Sequence, residues 1–222
     1  MVATSGAQLL PNKAITNLRE HILPLTTVLT PNIPEARLLL QNAGLPAPDI
    51  ESLSDIVTMA KLVQSLGPKY VLVKGGHSPL TKDDKISAQN ADRTTVVDVL
   101  HDGNTCTIMK TDYSPSKNTH GTGCSLACMF PPNPFCLRLR KSFCSNPRNL
   151  LPAAIASNLA LGEDIPKAVS RAVQYVEIAI RTSQDLGHGS GPINHFHSVS
   201  VLSAPPGSTS LRQTVLHQGV NR

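Results

Sequence analysis

The chain has 222 residues and a formal net charge of +5, with no tryptophan and three tyrosines; that suffices for one α/β domain with a sizeable core but not for two large ones. It lacks a run of about 18 apolar residues, which excludes a membrane-spanning helix, and its N-terminus lacks the basic and apolar regions of a secretory signal. Five cysteines at wide, irregular spacing fit a reducing compartment, so a soluble cytoplasmic protein is expected, and because Arg138, Arg140, Lys141 and Arg148 alone supply four of the five net charges, the scattered remainder argues against nucleic acid as a partner.

In chain order, Ala14, Ile15, Leu18 and Ile22 recur at helical spacing, predicting a helix over 11–22 with Pro11 in its first turn. Residues 25–29 read as a short buried strand. The chain then enters Thr30-Pro31-Asn32-Ile33-Pro34-Glu35, in which Asn32 suits an N-cap, Pro34 an early helical position and Glu35 the first turn. Asn32 and Glu35 are spaced to meet at that helix start, where they either cap it or hold a hydrated Mg²⁺. Ser52 with Asp55 predicts a second capped start, followed by an apolar stripe of Ile56, Met59, Ala60, Val63 and Leu66 that stops at Gly67-Pro68.

Residues 70–73 form a continuous apolar run of the kind found inside a parallel sheet. The run delivers Lys74 into Gly75-Gly76-His77 at a strand's C-terminal end, where open α/β sheets bind ligands and a lysine can meet phosphate. Residues 81–92 are polar and loop-like. Two β-rich runs, 94–100 and 105–110, flank His101-Asp102-Gly103-Asn104, a hairpin signal that adds an antiparallel edge.

Lys117 to Ala127 then reads Lys-Asn-Thr-His-Gly-Thr-Gly-Cys-Ser-Leu-Ala. Small residues leading into a helix leave successive N–H groups unpaired, and the helix dipole adds positive potential there. Gly121, Thr122 and Gly123 are therefore a candidate anion seat, with Cys124 in a field that favours thiolate. From 128 to 152 the pattern breaks, with five prolines, three cysteines, three phenylalanines and no acid. Helical periodicity resumes at Ala153, and joining Ala127 to Ala153 gives one unbroken small-and-apolar helix. Residues 128–152 are accordingly expected to interrupt it, as a looped-out insertion or as translated non-coding sequence. Pro166 opens a further helix with Ala168, Val169, Ala172, Val176 and Ile180 inward. The loop from Leu186 to His197 holds three histidines, but without a Cys or carboxylate cluster to complete a metal site. Residues 198–222 read as linker or disordered tail.

Taken together, Leu29-Thr30-Pro31-Asn32 with Glu35, Val73-Lys74-Gly75-Gly76-His77, Val97-Asp98-Val99-Leu100 with Asp102-Gly103, Asn118 to Cys124, and Gly187 to His195 closely resemble the hydroxymethylpyrimidine/phosphomethylpyrimidine kinases of thiamine biosynthesis, within the ribokinase-like superfamily. The resemblance implies an α/β three-layer sandwich with a mostly parallel sheet over 1–197. It also implies ATP and Mg²⁺ as cofactors and stepwise phosphorylation of a small pyrimidine to its mono- and diphosphate. Carried over, Gly121, Thr122 and Gly123 form the anion hole and Cys124 acts on the substrate hydroxyl. Asn32 and Glu35 serve Mg²⁺ and phosphate, and Lys74 lies near the phosphates. A homodimer stays open, as do a pyridoxal kinase of related fold and a non-catalytic nucleotide-binding fragment. Two departures qualify the match. Residues 1–6 resemble the middle of such a kinase, so the Asp-bearing glycine loop and most pyrimidine contacts are expected to be missing and activity impaired. The interruption falls just beyond Cys124.

Overall fold

A computed structural model describes residues 8–76, 78–87, 92–113, 150–184, 191–198 and the backbone of 216–217. These fall into two compact units, one holding the described residues up to Tyr113 with Leu216–His217, the other those from Leu150 to 198.

The first unit begins with α1 (Asn12–Asn17), preceded by Pro11 in extended conformation. The coil widens into a π-type turn over Leu18–Ile22 and tightens into a 3₁₀ turn over Leu23–Leu25. Pro24 has no N–H to give and its ring crowds the preceding turn, so a regular α-helix cannot run through it. This corrects the expected strand 25–29: Leu25 is held in the turn and exposed, and β1 is only Val28–Leu29.

Helix α2 (Ile33–Asn42) starts at Asn32, with Pro34 in its first turn, and buries Ile33, Ala36, Leu39 and Leu40. Helix α3 (Leu53–Gln64) buries Ile56, Met59, Ala60 and Val63, four of the five residues read from its stripe. At its start the Asp55 carboxylate accepts from the Ser52 N–H at 2.9 Å, the Ser52 hydroxyl at 2.8 Å and the Glu51 N–H at 3.1 Å. The chain leaves α3 through Gly67, whose φ of +122° and approach to Pro24, where a Cβ would lie 3.0 Å from Cα, leave room only for glycine.

Strands β2 (Tyr70–Lys74), β3 (Thr95–His101) and β4 (Cys106–Asp112) complete a four-stranded sheet in the order β1-β2-β3-β4, and the two-residue β5 (Leu216–His217) pairs with β4. The α/β expectation holds, but the expectation of a mostly parallel sheet does not: among the described residues only β1 and β2 are parallel, and the other three pairings are antiparallel. The reason is in the connections. Helices α2 and α3 carry the chain from β1 back to β2, the crossover that parallel neighbours require. A loop whose described residues hold no regular helix joins β2 to β3, and the Asp102-Gly103 turn joins β3 to β4, with Gly103 at φ +98°. Helices α2 and α3 cover one sheet face, where Val71, Val73, Val97, Val99, Cys106 and Ile108 meet their apolar stripes in one core. By strand alternation Leu72, Leu100 and Met109 lie on the other face, and they too are buried.

The second unit is a helical pair, α4 (Leu150–Ala160) and α5 (Ile165–Arg181). Helix α4 is already under way at Leu150, ahead of the Ala153 at which sequence periodicity resumes. Pro152 lies early in the helix, where a missing N–H costs nothing. Asp164 caps α5 by accepting from the Lys167 N–H at 2.9 Å. The buried face is Ala168, Val169, Ala172, Val173, Val176 and Ala179; Ile180, expected inward, is only half-buried.

Candidate functional site

Parallel pairing of β1 with β2 puts Thr30, Pro31 and Asn32 beside the end of β2. The Lys74 N–H donates to the Pro31 carbonyl at 2.9 Å, and Asn32 and Lys74 form a further parallel bridge beyond the regular strands. Two sequence-read candidates far apart in the chain are thereby joined through the backbone at the C-terminal ends of two parallel strands.

The third candidate is joined to the first by capping. The Asn32 side-chain oxygen accepts from the Glu35 N–H at 2.9 Å, and the Glu35 carboxylate accepts from the Asn32 N–H at 3.2 Å. This reciprocal pair satisfies two donors that a helix start otherwise leaves open. Glu35 is fully buried, an uncommon place for a carboxylate unless other groups compensate it. The buried Lys74 ammonium nitrogen and the buried Thr30 hydroxyl lie in the same strand-end region, the hydroxyl without a hydrogen-bond partner among the described residues.

Sequence reasoning gave no role to Asp98, although it was the one charge inside the apolar run 94–100. On β3 it is the cross-strand partner of Lys74, with Met109 of β4 on its other side. Its carboxylate accepts from the Gly75 N–H at 3.0 Å. Burial pushes the Asp98 carboxyl up to about 6, against the opposing pull of the Gly75 hydrogen bond and the Lys74 charge. Gly75 has no alternative residue: a Cβ there would stand 2.2 Å from the Val97 carbonyl oxygen. Gly76 beside it is open, with nothing within 4 Å of where its Cβ would be.

Gly121, Thr122, Gly123 and Cys124 lie outside the described residues, as do His77 and His188. Of the other histidines in the C-terminal loop, His195 accepts through its carbonyl from the Tyr175 hydroxyl at 2.7 Å, and the His197 ring packs on Tyr175 with centroids 4.4 Å apart. Burial lowers the pKa of His197. Among the described residues no cluster of three His, Cys, Asp or Glu side chains could hold a metal. Asn32 and Glu35 offer hard oxygen donors, which suits Mg²⁺ bound mainly through water and substrate phosphates rather than in a protein cage. No helix among the described residues is long and apolar enough to cross a membrane.

The chain matches the family model described as phosphomethylpyrimidine kinase over residues 1–131 and 149–194. It is 38% identical over 197 residues to the hydroxymethylpyrimidine/phosphomethylpyrimidine kinase of Synechococcus elongatus, a match that covers 89% of this chain and 59% of that protein. The kinase of the same description from Bacillus subtilis is 31% identical over 196 residues, covering 88% of this chain and 56% of that protein. Thus the chain spans a little over half the length of these two relatives. In fold it is similar to the pyridoxal kinase of Staphylococcus aureus in complex with AMP-PCP, with a TM-score of 0.66 at 21% identity, over 98% of this chain and 61% of that one. The Asn32, Glu35 and Lys74 cluster stands inside the matched segments, and the chain belongs to the phosphomethylpyrimidine kinase family.

Proposed function

We propose that this chain carries the phosphate-handling half of a hydroxymethylpyrimidine/phosphomethylpyrimidine kinase, which transfers the terminal phosphoryl group of ATP to the hydroxymethyl oxygen of a pyrimidine and then to the resulting monophosphate. The observation that supports it most is the convergence of Asn32, Glu35 and Lys74 at the ends of β1 and β2, in a chain of this family. Phosphoryl transfer needs positioned positive charge and hydrogen-bond donors more than covalent help. Lys74 supplies a charge for the phosphates. Asn32 and Glu35 would hold a hydrated Mg²⁺, whose chemistry is to neutralise phosphate charge. The Gly121–Thr122–Gly123 amides would receive the transferring group, and the Cys124 thiolate would take the proton of the attacking hydroxyl.

The 222 residues by themselves are proposed to have very weak or no kinase activity. Of the expected interruption 128–152, residues 150–152 already belong to α4, and 128–149 are proposed to interrupt the helix behind Cys124, in keeping with a family match that passes over 132–148. The assignment to the cytoplasm, and a homodimer as the assembled form, stand as parts of the same reading. The test is ³¹P NMR of the purified chain with ATP, Mg²⁺ and hydroxymethylpyrimidine, beside a version lacking 128–149. The expected result is slow formation of the pyrimidine monophosphate that quickens in the deletion and disappears in Lys74→Ala. Phosphorylation of pyridoxal in preference to the pyrimidine would reassign the acceptor, and ATP binding without transfer to either would leave a nucleotide-binding protein.

A further inference from the structure

We propose that Asp98 is a positioning residue for nucleotide phosphates: its carboxylate holds the Gly75 amide and, through its charge, draws the Lys74 ammonium to the open end of β2. The inference rests on the nucleotide reading above and assigns to that site a residue it did not include.

Three observations carry it. Register places Asp98 directly opposite Lys74, so both side chains leave the same sheet face. The carboxylate takes the Gly75 N–H at 3.0 Å, at the residue where the chain turns out of the strand. Val97 presses on Gly75 so closely that no side chain is tolerated, which fixes the amide against Asp98. On β4 the neighbour of Asp98 is the uncharged Met109. Among the described residues packed beside it, Lys74 is the cation whose field reaches the carboxylate.

A lysine ammonium sits on a flexible four-carbon stem and loses much rotamer entropy when it is held by a ligand. The field of an opposing carboxylate biases that stem toward one arrangement before the ligand arrives, which lowers the entropic cost of binding. Because half-buried Asp98 is itself tied to Gly75, the bias has a fixed direction. A carboxylate near phosphate also repels it, and the positioning of Lys74 and Gly75 is expected to outweigh that repulsion.

The experiment is a double-mutant cycle on the 222-residue chain, with ATP and adenosine binding measured by calorimetry in Asp98→Ala, Lys74→Ala and the pair. Asp98→Asn, which keeps an acceptor for Gly75, serves as the conservative variant. Thermal melting verifies that each variant is folded. The expected result is that Asp98→Ala weakens ATP about tenfold in the parent chain and less than about twofold when Lys74 is already absent, the coupling of residues that act together. Adenosine binding stays unchanged, and Asp98→Asn falls between. Equal losses in both backgrounds, equal losses for adenosine, or tighter ATP binding by either Asp98 variant would overturn the proposal while leaving the nucleotide reading intact. ATP binding unaffected by Lys74→Ala, or no stronger than adenosine binding, would remove both.

Discussion

Asp98 lies mid-strand in β3 and Asp102 in the turn that follows it, and they are treated in opposite ways. At the hairpin, Asp102 accepts from the Asn104 N–H at 2.8 Å, the Thr105 N–H at 2.6 Å and the Thr105 hydroxyl at 2.8 Å. Burial works against its charge, but these bonds and nearby His101 outweigh it and hold its carboxyl below the usual range. Asp98 has one hydrogen bond and one cation set against burial, and is pushed up to about 6. The hairpin carboxylate stabilises the chain locally, whereas the strand carboxylate is kept charged at a cost to folding. That pattern marks groups retained for what they do rather than for stability.

Four measurements break or sharpen this contrast. Gly75→Ala acts beside Asp98 and is expected to cost about 3 kcal/mol, because its Cβ meets the backbone of Val97 rather than a movable side chain; urea unfolding reads it, and a loss below 1 kcal/mol in that measurement would mean β2 and β3 are not so tightly apposed. Next, pH separates the two aspartates. Folding raises Asp98 from 3.8 to about 6, so between those values the native chain keeps a proton that the unfolded chain has lost. Stability from this group is therefore present in acid, falls as pH rises to about 6 and stays lost above it. Relative to wild type, Asp98→Asn should become about 2 kcal/mol more stable at pH 7 than at pH 4, and a pH-independent difference would show that the carboxyl titrates normally.

Asp102 has the opposite sign. Its lowered pKa contributes stability above the ordinary carboxylate range, and that contribution is lost as pH falls through the folded value. Asp102→Ala is expected to cost about 1 kcal/mol at pH 7 and less at pH 3, from the loss of turn hydrogen bonds. The smallest effect belongs to a third carboxylate, Asp84, which Lys110 meets at 2.7 and 2.9 Å on a partly exposed surface. Lys110→Ala should change stability by about 0.5 kcal/mol, as exposed ion pairs do; a loss comparable to Gly75→Ala would place Asp84 among the costly buried charges instead.

The parts of the chain legible beforehand were those whose physics is local. The Asn32–Glu35 and Ser52–Asp55 pairs sit within one helical turn, so spacing alone announced the caps. The stripe of α3 follows from a 3.6-residue period, and the 101–104 turn from Asp-Gly chemistry. Leu25 was misread because its strand-like neighbours were visible while the grip of Pro24 on the turn was not. The sheet's direction was misread because a run such as 70–73 says that it is buried, not which way its neighbours run.

By itself, the sequence determined where helices begin, which faces they bury, and that Lys74 ends a buried strand, since hydrogen bonds and side-chain periods span only a few residues. Tertiary structure alone decided that Lys74 lies beside Pro31 and Asn32, that Asp98 faces it, and that Gly75 admits no side chain. Strand register is set by the burial of a whole sheet face, a property that no segment of the chain carries alone.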